Sequence, residues 1–167
     1  QGSNDSFPVL ESRYLTADIK RDKIHFSQDE QNNLEKTICS LERARLFCLC
    51  HCDVTVRNTL HSNEGVNLID WTYSHYTEPG FDIANVVFWL VENGLKDQVS
   101  DELKRSDKRY QTIGFDLAPS FLFYLSQRYI EFGRIRGLPY IEKGKKLQGL
   151  VPTTGIKEVI EAVEGII

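Results

Sequence analysis

The chain has 167 residues and a mass of 19.2 kDa, enough for one domain with a substantial core. Its 41% hydrophobic and 26% charged content is that of an ordinary soluble globular protein. Twenty basic against 24 acidic residues give a net charge of −4. No basic block is longer than "KRDK" or "GKK", which argues against a nucleic-acid partner.

No apolar run approaches the ~20 residues of a membrane span, and no signal-peptide pattern opens the chain. The expectation is a cytoplasmic protein with neither a membrane nor a nucleic-acid partner. Methionine is absent, so Gln1 does not read as a natural start. "QGS" at 1–3 reads as the remnant of a cleavage tag. Residues 4–167 then form a single domain of something longer.

Asn4 to Phe26 show no clear period and read as loop with a short helix. "SQDEQNNLEKTICSLERA" predicts a helix. Ser27 and Glu30 stand in capping-box positions, and Leu34, Ile38 and Leu41 form an apolar stripe. "RLFCLCHCDV" reads as a short buried strand. "TVRNTLHSNEGVNLIDW" reads as a β-hairpin: Asn58 to His61, a "SNEG" turn in which Gly65 supplies a positive φ, and Val66 to Ile69.

"FDIANVVFWLVENG" is apolar almost all round and predicts a buried helix ending at Gly94. "QVSDELKRSDKRY" predicts a polar, exposed helix. "DLAPSFLFYLSQRYIEFG" predicts a long aromatic-rich helix closed by Gly133, with Pro119 near its first turn. "TGIKEVIEAVEG" gives a last amphipathic helix on Ile156, Val159, Ile160 and Val163. The fold class is mainly α with one small β-hairpin (α+β).

Two chemistries compete between Cys48 and Trp71. Cysteines stand at Cys39, Cys48, Cys50 and Cys52. A structural zinc site uses pairs spaced by two to four residues and a second pair well downstream. The Cys48-x-Cys50-His51-Cys52 spacing is too tight, and no second pair follows. On a strand the three sulfurs would share one face with His51 on the other. Buried, reduced thiols are the expectation.

Read for oxygens, His51-Cys52-Asp53-Val54-Thr55-Val56-Arg57-Asn58 fits H-x-D-x-x-x-x-N, and the following hairpin ends in Ile69-Asp70-Trp71. These residues are similar to the catalytic loop and metal segment of protein-kinase-like phosphotransferases. "HCDVTVRN…LIDW…EPGFDIANVVFW" resembles the C-terminal lobe of the aminoglycoside phosphotransferase and choline kinase superfamily, densely from about Leu34 to Leu90. The helix start is matched by Pro79, Asp82, Ile83 and Ala84.

The resemblance implies transfer of the γ-phosphoryl of ATP, with Mg²⁺, to a hydroxyl of a small aminoglycoside- or choline-like acceptor. Asp53 would be the base. Asn58 and Asp70 would be the Mg²⁺ ligands, because the ion demands hard oxygens. His51 would brace the loop, and Asp82 would hydrogen-bond its backbone. Trp71, Tyr73 and Tyr76 are candidates for a cation–π wall around an amino-bearing substrate, with packing as the competing role.

Two departures stand out. Cys52 replaces the small residue usual between the histidine and the aspartate. None of the eleven glycines makes a G-x-G-x-x-G loop, and no V-A-I-K-like strand precedes the motif. The N-terminal nucleotide lobe is therefore expected to lie outside this chain, which alone would have little ATP-dependent activity. Exposed apolar surface would offer a route to a homodimer. A non-catalytic, pseudokinase-like binding module is the rival reading.

Overall fold

The computed structural model describes residues 27–29, 31–32, 36, 46–150 and 155–166. The loop read at 4–26, and Glu30, Leu34, Ile38, Cys39 and Leu41 of the first helix, lie outside the described residues. Gln31 N–H does donate to the Ser27 carbonyl at 3.0 Å, the spacing of an α-helical turn.

The first strand is only three residues long, β1 (Cys48–Cys50). It stops because Cys52 adopts a left-handed φ of 63° and leaves the extended conformation. The Cys52 side chain therefore does not continue the strand face shared by Cys48 and Cys50. Next comes a 3-10 turn, Val56–Asn58, so Asn58 precedes the hairpin rather than opening its strand. The hairpin joins β2 (Thr59–Ser62) to β3 (Gly65–Leu68) through Asn63 and Glu64, with Gly65 at φ 131°. Thr59 stands opposite Leu68, and Ile69 N–H continues the pairing by donating to the Asn58 carbonyl at 2.9 Å. The open end of the ribbon thus sets Asn58 beside the residue that precedes Asp70.

A second 3-10 turn, Trp71–Tyr73, leads into β4 (His75–Thr77), which pairs antiparallel with β1, Cys50 opposite His75. Three residues give no alternation to read, and β4 was not expected from the sequence.

Five helices follow: α1 (Gly80–Glu92), α2 (Val99–Gln111), α3 (Leu117–Arg136), α4 (Leu138–Gln148) and α5 (Ile156–Ile166). α1 ends before Gly94, at φ 75°. α2 is not exposed all round, since Val99, Leu103, Ser106 and Asp107 are buried at helical spacing. The Asp116 carboxylate caps α3 by accepting from Ala118 N–H at 3.1 Å.

α3 does not close at Gly133; it runs on to Arg136 and breaks at Gly137. A Cβ at Gly133 would lie 2.3 Å from Ile141 Cγ1, and one at Gly144 2.8 Å from the Ser126 carbonyl. Both glycines let α3 and the unexpected α4 approach closely. Ser126 Oγ fastens the crossing by donating to the Gly144 carbonyl at 2.8 Å.

α3 is the centre of the core, with Phe121, Leu122, Leu125 and Tyr129 at 0% exposure. Each such side chain contributes about 1.5–3 kcal/mol by leaving water. Among the described residues, the buried apolar side chains other than Cys50 and Pro79 lie at or beyond Ala84. Among the described residues no helix is long and apolar enough to cross a membrane.

Candidate active site

Two backbone N–H groups at the end of β1 converge on one carboxylate. His51 N–H donates to Asp82 Oδ2 at 2.7 Å and Cys52 N–H to Oδ1 at 2.8 Å. Asp82 stands in the first turn of α1, where the helix dipole favours an anion. Bonds to an ionised acceptor are the strong kind. Asn85, one turn on, reaches the Cys52 carbonyl at 3.5 Å. The grip has strain to hold: a left-handed φ costs a residue with a side chain about 1–2 kcal/mol.

His51 is 1% exposed. Its Nδ1 accepts from Asp53 N–H at 3.3 Å, and its Nε2 donates to the Ile69 carbonyl at 2.8 Å. This pair of bonds selects the neutral Nε2–H tautomer and leaves neither nitrogen for proton transfer. The ring also lies 4.8 Å from that of Trp71. His51 therefore ties the loop to the segment that carries Asp70.

Asp53 and Asn58 meet directly. Asn58 Nδ2 donates to Asp53 Oδ2 at 2.8 Å and to the Asp53 carbonyl at 3.0 Å. The two residues line a cleft of about 440 Å³ with Thr55, Val56, Arg57, Trp89 and Asn93. An apolar pocket of about 250 Å³, walled by Val54, Val86 and Leu90, shares Trp89 and Asn93 with it. Asp53 also borders a cleft of about 350 Å³ with Cys52, Tyr73, His75 and Phe81.

Asp70 lines neither cleft that Asp53 borders. It is exposed, with φ 60° and ψ 68°, and its Oδ1 accepts from the Thr72 hydroxyl at 2.6 Å and Thr72 N–H at 3.4 Å. These bonds hold its carboxyl below the usual carboxylate range. Its neighbour Ile69 ties it to the loop, through the Ile69 N–H on the Asn58 carbonyl and the Ile69 carbonyl on His51 Nε2.

Asp53 Oδ1, Asn58 Oδ1 and Asp70 Oδ2 have no hydrogen-bond partner among the described residues. All three are hard oxygens, and Mg²⁺ is commonly held by one or two carboxylates together with waters and substrate phosphates. The donor set therefore fits that ion in kind. Among the described residues no group of three or more His, Cys, Asp and Glu side chains forms a metal site, so no closed protein cage surrounds one.

The three aromatic candidates separate. Tyr73 borders a cleft with Asp53. Trp71 packs on His51, and its Nε1 donates to the Leu68 carbonyl at 3.0 Å. Tyr76 stands opposite Leu49 in the β1–β4 ribbon. Sequence reasoning missed Arg57, Trp89 and Asn93 as cleft walls, although Arg57 lies inside the motif it singled out. It also missed a buried network in which the Tyr124 hydroxyl donates to Glu78 Oε2 and Thr77 Oγ1 donates to the same oxygen at 3.1 Å. The "EPG" stretch gives no local sign that its glutamate is buried against a residue 46 positions away.

Residues 8–118 match the choline/ethanolamine kinase family. No curated protein and no solved structure matches the chain. The matched span takes in β1, the Asp53–Asn58 loop, both ribbons and the Asp82 helix, well over half of the 167 residues. The chain therefore belongs to the choline/ethanolamine kinase family, whose members are kinase-like phosphotransferases.

Proposed function

We propose that this chain supplies the catalytic loop and the acceptor cleft of an ATP-dependent phosphotransferase whose acceptor is the hydroxyl of a choline-like amino alcohol. The observation that carries this reading is the Asp53–Asn58 pair, set in a cleft on a loop whose backbone Asp82 grips.

In this reading the acceptor hydroxyl hydrogen-bonds Asp53 Oδ1 and loses its proton to it as the phosphoryl group arrives. Asn58 Nδ2, on the other carboxylate oxygen, fixes the direction of Oδ1. The Trp89 ring and its apolar neighbours offer a face for a methylated ammonium group. Asn58 Oδ1 and Asp70 Oδ2 would hold Mg²⁺, which when bound neutralises charge on the ATP phosphates. No glycine in the chain forms a G-x-G-x-x-G cradle, so the chain alone should bind Mg-ATP no better than millimolar.

The test is phosphoryl transfer by the full-length protein from Mg-ATP to choline, ethanolamine and an aminoglycoside in parallel. Transfer to choline or ethanolamine is expected. Transfer to the aminoglycoside alone, or to none of the three, would overturn the reading.

A further inference from the structure

The thiols beside the catalytic loop have no part in phosphoryl transfer, yet two of them touch. β1 is extended, so Cys48 and Cys50 project from the same face, and their Sγ atoms lie 3.6 Å apart. Cys50 is 2% exposed, with its thiol on the Thr77 and Glu78 carbonyls at 3.9 and 3.6 Å. Cys48 is only half-buried. Cys52 is turned away by its left-handed backbone, and its Sγ lies 3.7 Å from His75 Nε2.

We propose that Cys48 and Cys50 form a reversible dithiol site, which a hydroperoxide oxidises to an intramolecular disulfide at the root of the catalytic loop. The accessible Cys48 thiolate attacks the peroxide. The O–O bond breaks, one oxygen leaves as water after taking a proton, and the other remains as the Cys48 sulfenic acid. The Cys50 thiol then attacks the sulfenic sulfur and expels a second water, and the S–S bond forms. Two thiols thereby lose two electrons and two protons, and hydrogen peroxide ends as two waters.

The local geometry allows the step. Two residues of strand span about 6.6 Å, within the ~6.8 Å limit for Cα atoms joined by a disulfide. The contact between the two sulfurs holds the Cys48 thiol below its usual range, while the same contact and burial push Cys50 up. Cys48 is thus the attacking sulfur and Cys50 the resolving one. Closing the bridge draws Cys50 Sγ off the Thr77 and Glu78 carbonyls. It also puckers the chain directly before His51 and Cys52, the two N–H groups that Asp82 grips. Only the consequence for catalysis rests on the proposed function; the bridge does not.

The experiment treats the full-length protein with hydrogen peroxide, alkylates the remaining thiols and digests with trypsin. Residues 46–57 form one tryptic peptide with Cys48, Cys50 and Cys52, and Cys39 falls in another, 37–43. The expected peptide 46–57 has lost two hydrogens and carries alkyl on Cys52 alone, and dithiothreitol restores three alkylatable thiols. Cys48→Ser and Cys50→Ser should abolish the bridge, and Cys52→Ser should keep it. Three alkylated cysteines, irreversible oxygen adducts, a bridge through Cys52 or a cross-link to 37–43 would each overturn the proposal. In the bridged protein the His51 and Cys52 amides should exchange with solvent about tenfold faster. Unchanged exchange would sever the bridge from the loop.

Discussion

The ribbons and loop of residues 48–77 and the helices of residues 80–166 are stabilised in different ways. Among the described residues the helices and Phe115, in the loop between α2 and α3, hold the buried apolar side chains other than Cys50 and Pro79. The hairpin leaves Leu60 and Val66 53% and 59% exposed, and the loop beside it is fixed by hydrogen bonds from side chains to backbone. Asp82, Asn85 and the Glu78–Tyr124 pair cross the seam. A loop held this way can be aimed closely without being a large part of the folding free energy. Damage to the core should therefore appear in stability, and damage to the loop in chemistry.

Phe88→Ala should give the largest stability change. Phe88 is at 0% exposure, and such truncations cost about 3–5 kcal/mol, read by urea denaturation. The fraction still folded should keep its turnover. A specific loss of turnover there would break the separation of the two regions.

Asp82→Ala strikes the seam itself. It removes two charge-assisted bonds, and about 2–3 kcal/mol of stability should go with them. Turnover should fall as well, because the Asp82 carboxylate takes both the His51 and the Cys52 N–H. If either quantity stayed at its wild-type value, Asp82 would not be the coupling residue.

Gly133→Ala should cost about 1–3 kcal/mol, since its Cβ would meet Ile141 Cγ1 at 2.3 Å and Ile141 N at 2.9 Å. This change lies wholly within the α3–α4 crossing, and a shift in acceptor KM would blur the comparison.

The smallest effect is expected at Asp107. Burial pushes its carboxyl above the usual range, and the charge of Asp116 adds to the push. A raised carboxylate pKa favours the folded state below the unfolded value of about 3.9, and that advantage is lost as pH rises through the folded pKa. Asp107→Asn should therefore melt above the wild type at neutral pH, with the gap closing in acid. A gap that widens in acid would reverse the sign.

The sequence disclosed the two regions unequally. The motif that carries the candidate site was legible because a fixed spacing, His51-x-Asp53 then Asn58 and later Asp70, survives whatever the local structure does. α1 and α5 were legible from their apolar patterns. Gly133 was misread because a glycine that closes a helix and one that lets two helices cross look alike in sequence. α4 stayed hidden because Gly144 and its lysines break any apolar pattern. The buried side of α2 was masked because Ser106 and Asp107 occupy inward positions. β4 was hidden because it pairs with β1, 25 or more residues earlier. In each case a distant contact decides the structure and leaves no mark in the adjacent residues.

The most direct measurement compares turnover and melting of the full-length wild type with Asp53→Asn. The substituted amide keeps an oxygen for Asn58 Nδ2 but cannot take the acceptor's proton. Turnover should drop by about 10²–10⁴ while the melting midpoint stays within about 2 °C. Turnover within about tenfold of the wild type would contradict the role given to Asp53, and a collapse of the fold would contradict the separation of chemistry from core.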